Sequence, residues 1–114
     1  MRRRFVNIES PFAGDRATHQ LYLKRAVLDS IAREEVPFAS HGFYTQFLDD
    51  NIPADRELGI SLNLEMMNFT VSVVFYIDYG LSPGMVEALK FAIANQKAIE
   101  FRRIGHNDSP TKSD

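Results

Sequence analysis

The segment VSVVFYI, Val71 to Ile77, is an apolar run rich in β-branched and aromatic residues. Such a run is typical of a strand buried on both sides, which occurs in parallel sheets covered by helices. Three further segments predict strands: RFVNI from Arg4, VPFAS from Val36 and AIEFRRI from Ala98. The buried run constrains the fold most, because other elements must cover both of its faces.

Helical patterns separate the predicted strands. The first follows Asp15, which can cap it, the second begins near Pro53, and the third runs from Pro83 to about Gln96. Their apolar positions are Leu21, Leu28 and Ile31, then Leu58, Leu62 and Met66, and finally Met85, Leu89, Ala92 and Ile93. The segment HGFYTQFLDDN, from His41, has no clear period and predicts a loop.

Alternation of strands and helices predicts an α/β fold. We expect a Rossmann-like three-layer sandwich, with a four-stranded parallel sheet in the order 2-1-3-4 and helices on both faces, because right-handed crossovers make this order the most economical. The 114 residues suffice for one domain, residues 1–105. The polar segment 106–114 is expected to be a flexible tail.

Composition narrows the classes of function. No apolar run approaches the roughly 20 residues of a membrane helix, and the apolar part of MRRRFVNIES is short for a signal peptide. Cysteine is absent, which excludes thiolate chemistry and suits a cytoplasmic protein. The net charge is −2, and only Arg2, Arg3 and Arg4 cluster. We interpret them as a solvated segment, so nucleic acid is not an expected partner.

Two loops are predicted to meet at one place. In the order 2-1-3-4 the strand order reverses between strands 1 and 3, and ligands bind outside the carboxyl ends at that point. SPFAGD leaves strand 1 and DYGLSPG leaves strand 3, and each leads into a helix start with free N–H groups. Phe12 and Tyr79 are suited to stack on a flat ring. The alternative is that these serines, prolines and glycines are turn residues only.

The aromatic loop after strand 2 reaches the same rim, where it covers either a ring-shaped ligand or a partner subunit. The candidate ligand-binding residues of the three loops are Ser10, Pro11, Phe12, Gly14, His41, Tyr44, Asp49, Gly80, Ser82, Gly84 and Met85. A single histidine in this region does not predict a metal site. The phosphate-loop and dinucleotide fingerprints are absent from the sequence.

Carboxylates are the main chemical candidates. Cleavage of a glycosidic bond needs a carboxylate at the sugar carbon and an acid for the leaving group. Glu87, Asp78 and Asp15 are the candidate catalytic residues. Glu87 equally suits a position near the helix start with an i,i+3 pair to Lys90. Separately, LEMMNF contains more apolar side chains than one small sheet face needs, so a homodimer is expected.

The segments RFVNIESPFAGD, PFASHGFYTQFLDDNIPADRELGI and VVFYIDYGLSPGM, with the following helix, resemble small, often phage-encoded members of the nucleoside 2-deoxyribosyltransferase-like superfamily. The resemblance runs from about Phe5 to Ile104, and SPFAGD and SPGM are its specific parts. It implies a Rossmann-like sheet, breakage or exchange of an N-glycosidic bond of nucleosides or nucleotides, and no metal or organic cofactor. It also implies a phage origin and hence the host cytoplasm.

The resemblance places the nucleophile on a glutamate early in the helix after the Gly-rich turn, assisted by an aspartate of that turn and by an aromatic or hydroxyl group of the first loop. In GMVEALKFA that position is Ala88, and Glu87 lies one residue earlier, about 100° around the helix. The expected function is nucleoside or nucleotide binding with cleavage or exchange of the N-glycosidic bond. The alternative is a catalytically silent protein that sequesters a nucleotide-derived ligand or binds a host protein.

Overall fold

A computed structural model describes residues 2–105. The strands are β1 (Arg4–Glu9), β2 (Glu35–Phe38), β3 (Ser72–Tyr76) and β4 (Ala98–Arg102). The helices are α1 (Arg16–Ala32), α2 (Ser40–Phe43), α3 (Pro53–Met66) and α4 (Pro83–Ala94). Single 3-10 turns follow α2 (Tyr44–Gln46) and α3 (Met67–Phe69). The predicted tail, 106–114, lies outside the described residues.

The four strands form one parallel sheet in the order β2-β1-β3-β4. This confirms the predicted fold class and strand order. All five residues of β3 are buried, as a central strand covered on both faces requires. Within residues 2–105, no helix has the length and apolar character needed to cross a membrane.

Two hydrophobic clusters lie on opposite faces of the sheet, because successive side chains of a strand point to opposite sides. The cluster against α1 contains Val6, Ile8, Tyr22, Ala26, Val74 and Tyr76. The cluster against α4 and the end of α3 contains Met67, Val73, Phe75, Met85, Ala88 and Ala92. Helices therefore cover both faces, which confirms the three-layer prediction.

The residues that α1 buries are not the apolar residues that the sequence pattern predicted for its inner face. The buried residues are Tyr22, Ala26 and Ser30. They are spaced four positions apart, so one narrow stripe of the helix contacts the sheet. Small side chains at two of these positions allow close packing. The apolar residues at the pattern positions are exposed, namely Leu21, Leu28 and Ile31, and so are Leu58 of α3 and Ile93 of α4.

Residues 41–46, predicted to be a loop, and Ser40, predicted to end the second strand, form α2 and the 3-10 turn after it. A four-residue helix is too short to show a hydrophobic period, which is why the pattern did not reveal it. Gly42 brings α2 close to α1, because a Cβ atom at this position would lie 2.7 Å from Leu23 Cδ2. The close approach holds the neighbouring His41 near the end of the sheet.

A buried ion pair joins the two outer strands. Arg102 of β4 donates hydrogen bonds of 2.9 Å and 2.7 Å to the two carboxylate oxygens of Glu35 in β2. Ser30 of α1 donates to Glu35 Oε1 at 2.8 Å, and Arg4 donates to Oε2 at 3.1 Å. Burial acts to raise the pKa of Glu35, but the hydrogen bonds from Arg102 and Ser30 outweigh it and lower this pKa. Glu35 is therefore charged at neutral pH.

Replacing Arg102 tests this pair. We expect Arg102→Met to lower the free energy of unfolding by about 3–5 kcal/mol, because the Glu35 carboxylate stays buried without its main partner. Arg102→Met/Glu35→Met should be more stable than the single variant, since no charge is stranded. Urea unfolding at pH 7 measures both differences.

The control for this test is Arg33→Ala. It removes an exposed ion pair with Asp29 in α1 and should cost no more than about 0.5 kcal/mol. A double variant less stable than Arg102→Met would contradict the stranded-charge explanation.

Candidate functional site

The loops after β1, β2 and β3 lie at the carboxyl edge of the sheet. Because β1 pairs with β3, the loops beginning at residues 10 and 77 leave neighbouring strands. His19 of α1 connects them: its Nδ1 donates to the carbonyl oxygen of Ala13 at 2.7 Å, and its ring meets the Tyr79 ring edge-on at 5.7 Å. The predicted convergence of the two loops on one rim is therefore present.

Ser10 and His41 form a polar pair between the first and second of these loops. Ser10 Oγ lies 2.7 Å from His41 Nε2. Ser10 is 4% exposed, and the following Pro11 is also buried. Burial lowers the pKa of His41 to about 4, so its ring is neutral at pH 7. The hydrogen bond between Ser10 and His41 therefore joins two neutral groups.

Phe12 extends this pair toward α1. Its ring meets the His41 ring edge-on at 6.3 Å, and the guanidinium of Arg16 lies 4.6 Å from the Phe12 ring centre. Arg16 Nη2 is also 3.8 Å from Asp50 Oδ2. The Phe12 ring is therefore in contact with both the Arg16 guanidinium and the His41 ring. Sequence analysis did not single out Arg16, whose contact partner Asp50 is distant in sequence.

The start of α4 supplies the opposite side of the rim. Ser82 caps the helix, since its Oγ accepts a hydrogen bond from the Met85 N–H at 3.3 Å. Gly80, with φ +81°, occupies a conformation that favours glycine. Gly84 does not: its φ is not positive, and a Cβ atom there would meet no atom within 4 Å. Nothing in the described chain requires a glycine at position 84, although glycine is a poor helix residue.

Asp78 anchors the end of β4 to the loop after β3. Its carboxylate accepts hydrogen bonds from the Tyr22 hydroxyl at 2.5 Å, the Ile104 N–H at 2.9 Å and the Gly105 N–H at 2.7 Å. Burial acts to raise the pKa of Asp78, but these hydrogen bonds outweigh it and lower the pKa. The contacts give Asp78 a positioning role, while its catalytic role stays a prediction.

Asp15 and Glu87 lie near helix starts. Asp15 caps α1, and its carboxylate accepts from the N–H and hydroxyl of Thr18 at 3.2 Å and 2.8 Å. Glu87 is exposed, and its carboxylate lies 3.7 Å from Lys90 Nζ. Ala88, the position that the resemblance gives to a glutamate, is 3% exposed within the core. The catalytic roles of Asp15 and Glu87 stay predictions.

Three other predicted ligand-binding residues contact the chain itself. Tyr44 meets the rings of Phe38 and Phe43 edge-on. Asp49 accepts a hydrogen bond from the Asn51 N–H in the turn before α3. Met85 is 1% exposed in the core. The ring stack continues outward to side chains that remain exposed, Phe43 at 48% and Phe47 at 70%.

Glu9, the last residue of β1, is a buried carboxyl that sequence analysis missed. Asn63 of α3 donates to Glu9 Oε2 at 2.9 Å and accepts from Asn7 at 3.1 Å, and Thr70 donates to Asn7 at 2.6 Å. Burial raises the pKa of Glu9 to about 7, because the hydrogen bond from Asn63 offsets only part of the desolvation. The only sequence signal was an acid at the end of an apolar strand, since its partner lies 54 residues away.

The family model of a domain of unknown function, DUF7768, matches residues 4–102. The chain belongs to this family. The DUF7768 domain thus spans the chain from the first residue of β1 to the last of β4 and includes the three rim loops. No curated protein and no solved structure matches the chain. Within residues 2–105, the described part of the chain, no cluster of three or more acidic, histidine or cysteine side chains is arranged to hold a metal ion.

The pKa of Glu9 predicts a pH dependence for this DUF7768 domain. An acid whose pKa rises from 4.5 to about 7 on folding holds a proton that the unfolded chain releases, so stability falls as pH rises between these values. Glu9→Gln should remove this fall. We expect the variant to be up to about 3 kcal/mol more stable than the wild type at pH 8 and nearly equal at pH 4.

Urea unfolding across this pH range measures the difference. Glu34→Gln, an exposed change in the turn after α1, is the matched control and should leave the pH profile unchanged. A gain for Glu9→Gln that is the same at pH 4 and pH 8 would show that Glu9 does not titrate as stated.

Proposed function

We propose that this DUF7768 domain binds a nucleoside or nucleotide at the rim formed by the loops after β1, β2 and β3. The observation that carries the proposal is the pairing of β1 with β3, which brings the Ser10–His41 pair and the start of α4 to one edge of the sheet. Parallel α/β sheets bind ligands at this position. The motifs SPFAGD and SPGM, which resemble the deoxyribosyltransferase-like superfamily, lie in two of the three loops.

The two helix starts are not equivalent for an anion. Asp15 places a carboxylate at the start of α1, whereas the cap of α4 is the neutral hydroxyl of Ser82. The N-terminal end of a helix attracts a negative group, but the Asp15 carboxylate already at the start of α1 repels a second one. We therefore place a phosphate at the start of α4. Gly84 leaves the backbone there open to close approach. Arg16, on the opposite side of the rim, supplies a cation.

The other parts of a nucleoside match the polar pair and the aromatic ring. The Ser10 hydroxyl and the neutral His41 ring suit the hydroxyl groups of a sugar or the nitrogens of a base. An aromatic ring at the rim, Phe12, suits stacking on a planar base. Tyr44 and Asp49 remain proposed second contacts, to be reached by closure of residues 40–52 over the ligand.

The proposed reaction is cleavage or exchange of the N-glycosidic bond, and Glu9 suits the acid. Its pKa of about 7 keeps much of the carboxyl protonated at neutral pH, as donation to a leaving base requires. In hydrolysis the bond between sugar carbon and base nitrogen breaks, and the nitrogen takes the Glu9 proton. Water then adds its oxygen to the sugar carbon and returns a proton to Glu9. In exchange a second base takes the place of water.

Ala88 favours the alternative, a catalytically silent protein that sequesters a nucleotide-derived ligand. The position that the resemblance gives to the nucleophile is buried in the core and has no functional group. The alternative also includes a host protein as the partner, bound through the exposed rings of Phe43 and Phe47. A phage origin and a location in the host cytoplasm belong to the same proposal.

Gly84→Ala tests binding separately from folding. Alanine should raise the free energy of unfolding by up to about 1 kcal/mol, because it favours helix, while its methyl group obstructs a phosphate at the start of α4. We therefore expect a higher melting temperature without ligand and a smaller shift with ligand. Thermal unfolding with a panel of nucleosides and nucleotides measures both, since a ligand at 100 times its dissociation constant adds about 2.7 kcal/mol.

Gly59→Ala in α3 is the control, because its Cβ atom would make an ordinary contact, 3.7 Å from Leu48 Cδ1. It should stabilise the helix and leave ligand shifts unchanged. If no member of the panel raises the melting temperature of the wild type, the proposed binding is wrong.

A panel of nucleosides and nucleotides also tests the reaction, with free base quantified by chromatography. Glu9→Gln should lower turnover by about 10²- to 10⁴-fold and leave ligand binding intact, because it removes only the transferable proton. Turnover that survives Glu9→Gln and is lost in Glu87→Gln would assign the chemistry to the residue that the resemblance indicates. Tight binding with no free base from any ligand would favour the silent alternative.

A further inference from the structure

Phe69 is the most exposed large apolar side chain of the described residues, at 79%. It ends the 3-10 turn after α3 and precedes β3 by three positions. Phe5, Val36 and Val71 lie close to it in the chain or in the sheet: Phe5 pairs with Val36, and the Val71 N–H donates to the Phe5 carbonyl oxygen at 2.8 Å. All three are more than a third exposed, so an apolar surface is uncovered where β1 and β3 begin.

A groove between α3 and α4 lies beside this surface. It has a volume of about 380 Å³ and an apolar floor of Ile60, Leu64 and Phe91. Glu57 and Glu65 line it as well, so the groove is acidic. No residue of α3 is buried, which shows that the chain leaves this helix largely uncovered.

The two surfaces adjoin and carry opposite charge. Asn68 lines the groove and is followed directly by Phe69. Arg2 and Arg3 are exposed and extend from the start of β1, where the Phe69 surface lies, whereas the groove has two glutamates. When a projecting group and a recess lie side by side on one protein, a two-fold axis between them satisfies both at once and closes the assembly.

We propose that two copies of this chain form a two-fold symmetric dimer in which Phe69 of each copy enters the α3–α4 groove of the other. The Phe69 ring covers the apolar floor, and Arg2 and Arg3 face the glutamates of the groove. The contact uses the α4 side of the molecule and leaves the rim loops free. It therefore stands or falls independently of the proposed ligand.

The oligomeric state of the full chain tests this dimer. Sedimentation across a concentration series, or size-exclusion chromatography with light scattering, should give the mass of two chains for the wild type. Phe69→Glu should raise the dimer dissociation constant by about 30-fold or more, as loss of a central anchor does. Ser61→Arg, which fills the groove from its lining, should have the same effect without any change at Phe69.

Leu28→Glu is the matched control, because Leu28 is 54% exposed and lies on α1, which packs on the opposite face of the sheet from α4. It should leave the dimer intact, and circular dichroism should show all three variants folded, since each changes an exposed position. A monomeric wild type, a mass that rises without limit, or a dimer that survives Phe69→Glu and Ser61→Arg would each overturn the proposal.

Discussion

The pairing of β1 with β3 is the constraint on which the other features depend. It places two strands from distant parts of the chain at the centre of the sheet and moves β2 and β4 to the edges. Both strands contribute side chains to the cluster against α1, and β3 also contributes Val73 and Phe75 to the cluster against α4. The same pairing puts the ends of β1 and β3 next to each other, so the loops with Ser10 and Ser82 share an edge.

Two buried carboxylates of this sheet have opposite surroundings, and this separates their roles. Glu35 has the guanidinium of Arg102 as its partner and stays charged. This ion pair joins the outer strands, and its attraction offsets the free energy of taking both charges out of water. Glu9 has only the amide of Asn63, so burial holds its carboxyl near neutrality. The partly protonated carboxyl is the acid of the proposed reaction, whereas the charged and fully paired one joins the strands of the sheet.

The architecture could be predicted because the apolar run VSVVFYI and the helical segments between the strands are local features of the sequence. Such features specify the type and order of the elements without reference to distant contacts. Details that depend on distant contacts did not follow. The residues of α1 that face the sheet are Tyr22, Ala26 and Ser30 and not its leucines, because close packing on a sheet favours small side chains at the contact. The Ser10–His41 pair was assembled from two predicted candidates, but their contact needs the position of α2, which has no period. Glu9 was missed because its partner Asn63, and the Asn7 and Thr70 side chains linked to Asn63, come together only in the folded chain.

Pro37 makes the two edges of the sheet unequal. It lies within β2, where it cannot supply the N–H group that an added strand would need, whereas β4 contains no proline along its five residues. Strand addition by a neighbouring chain therefore has one usable side, which ends at the exposed ring of Phe101 and at the exposed Arg103. The like charge of Arg103 on a second copy of the chain weakens strand addition at that side.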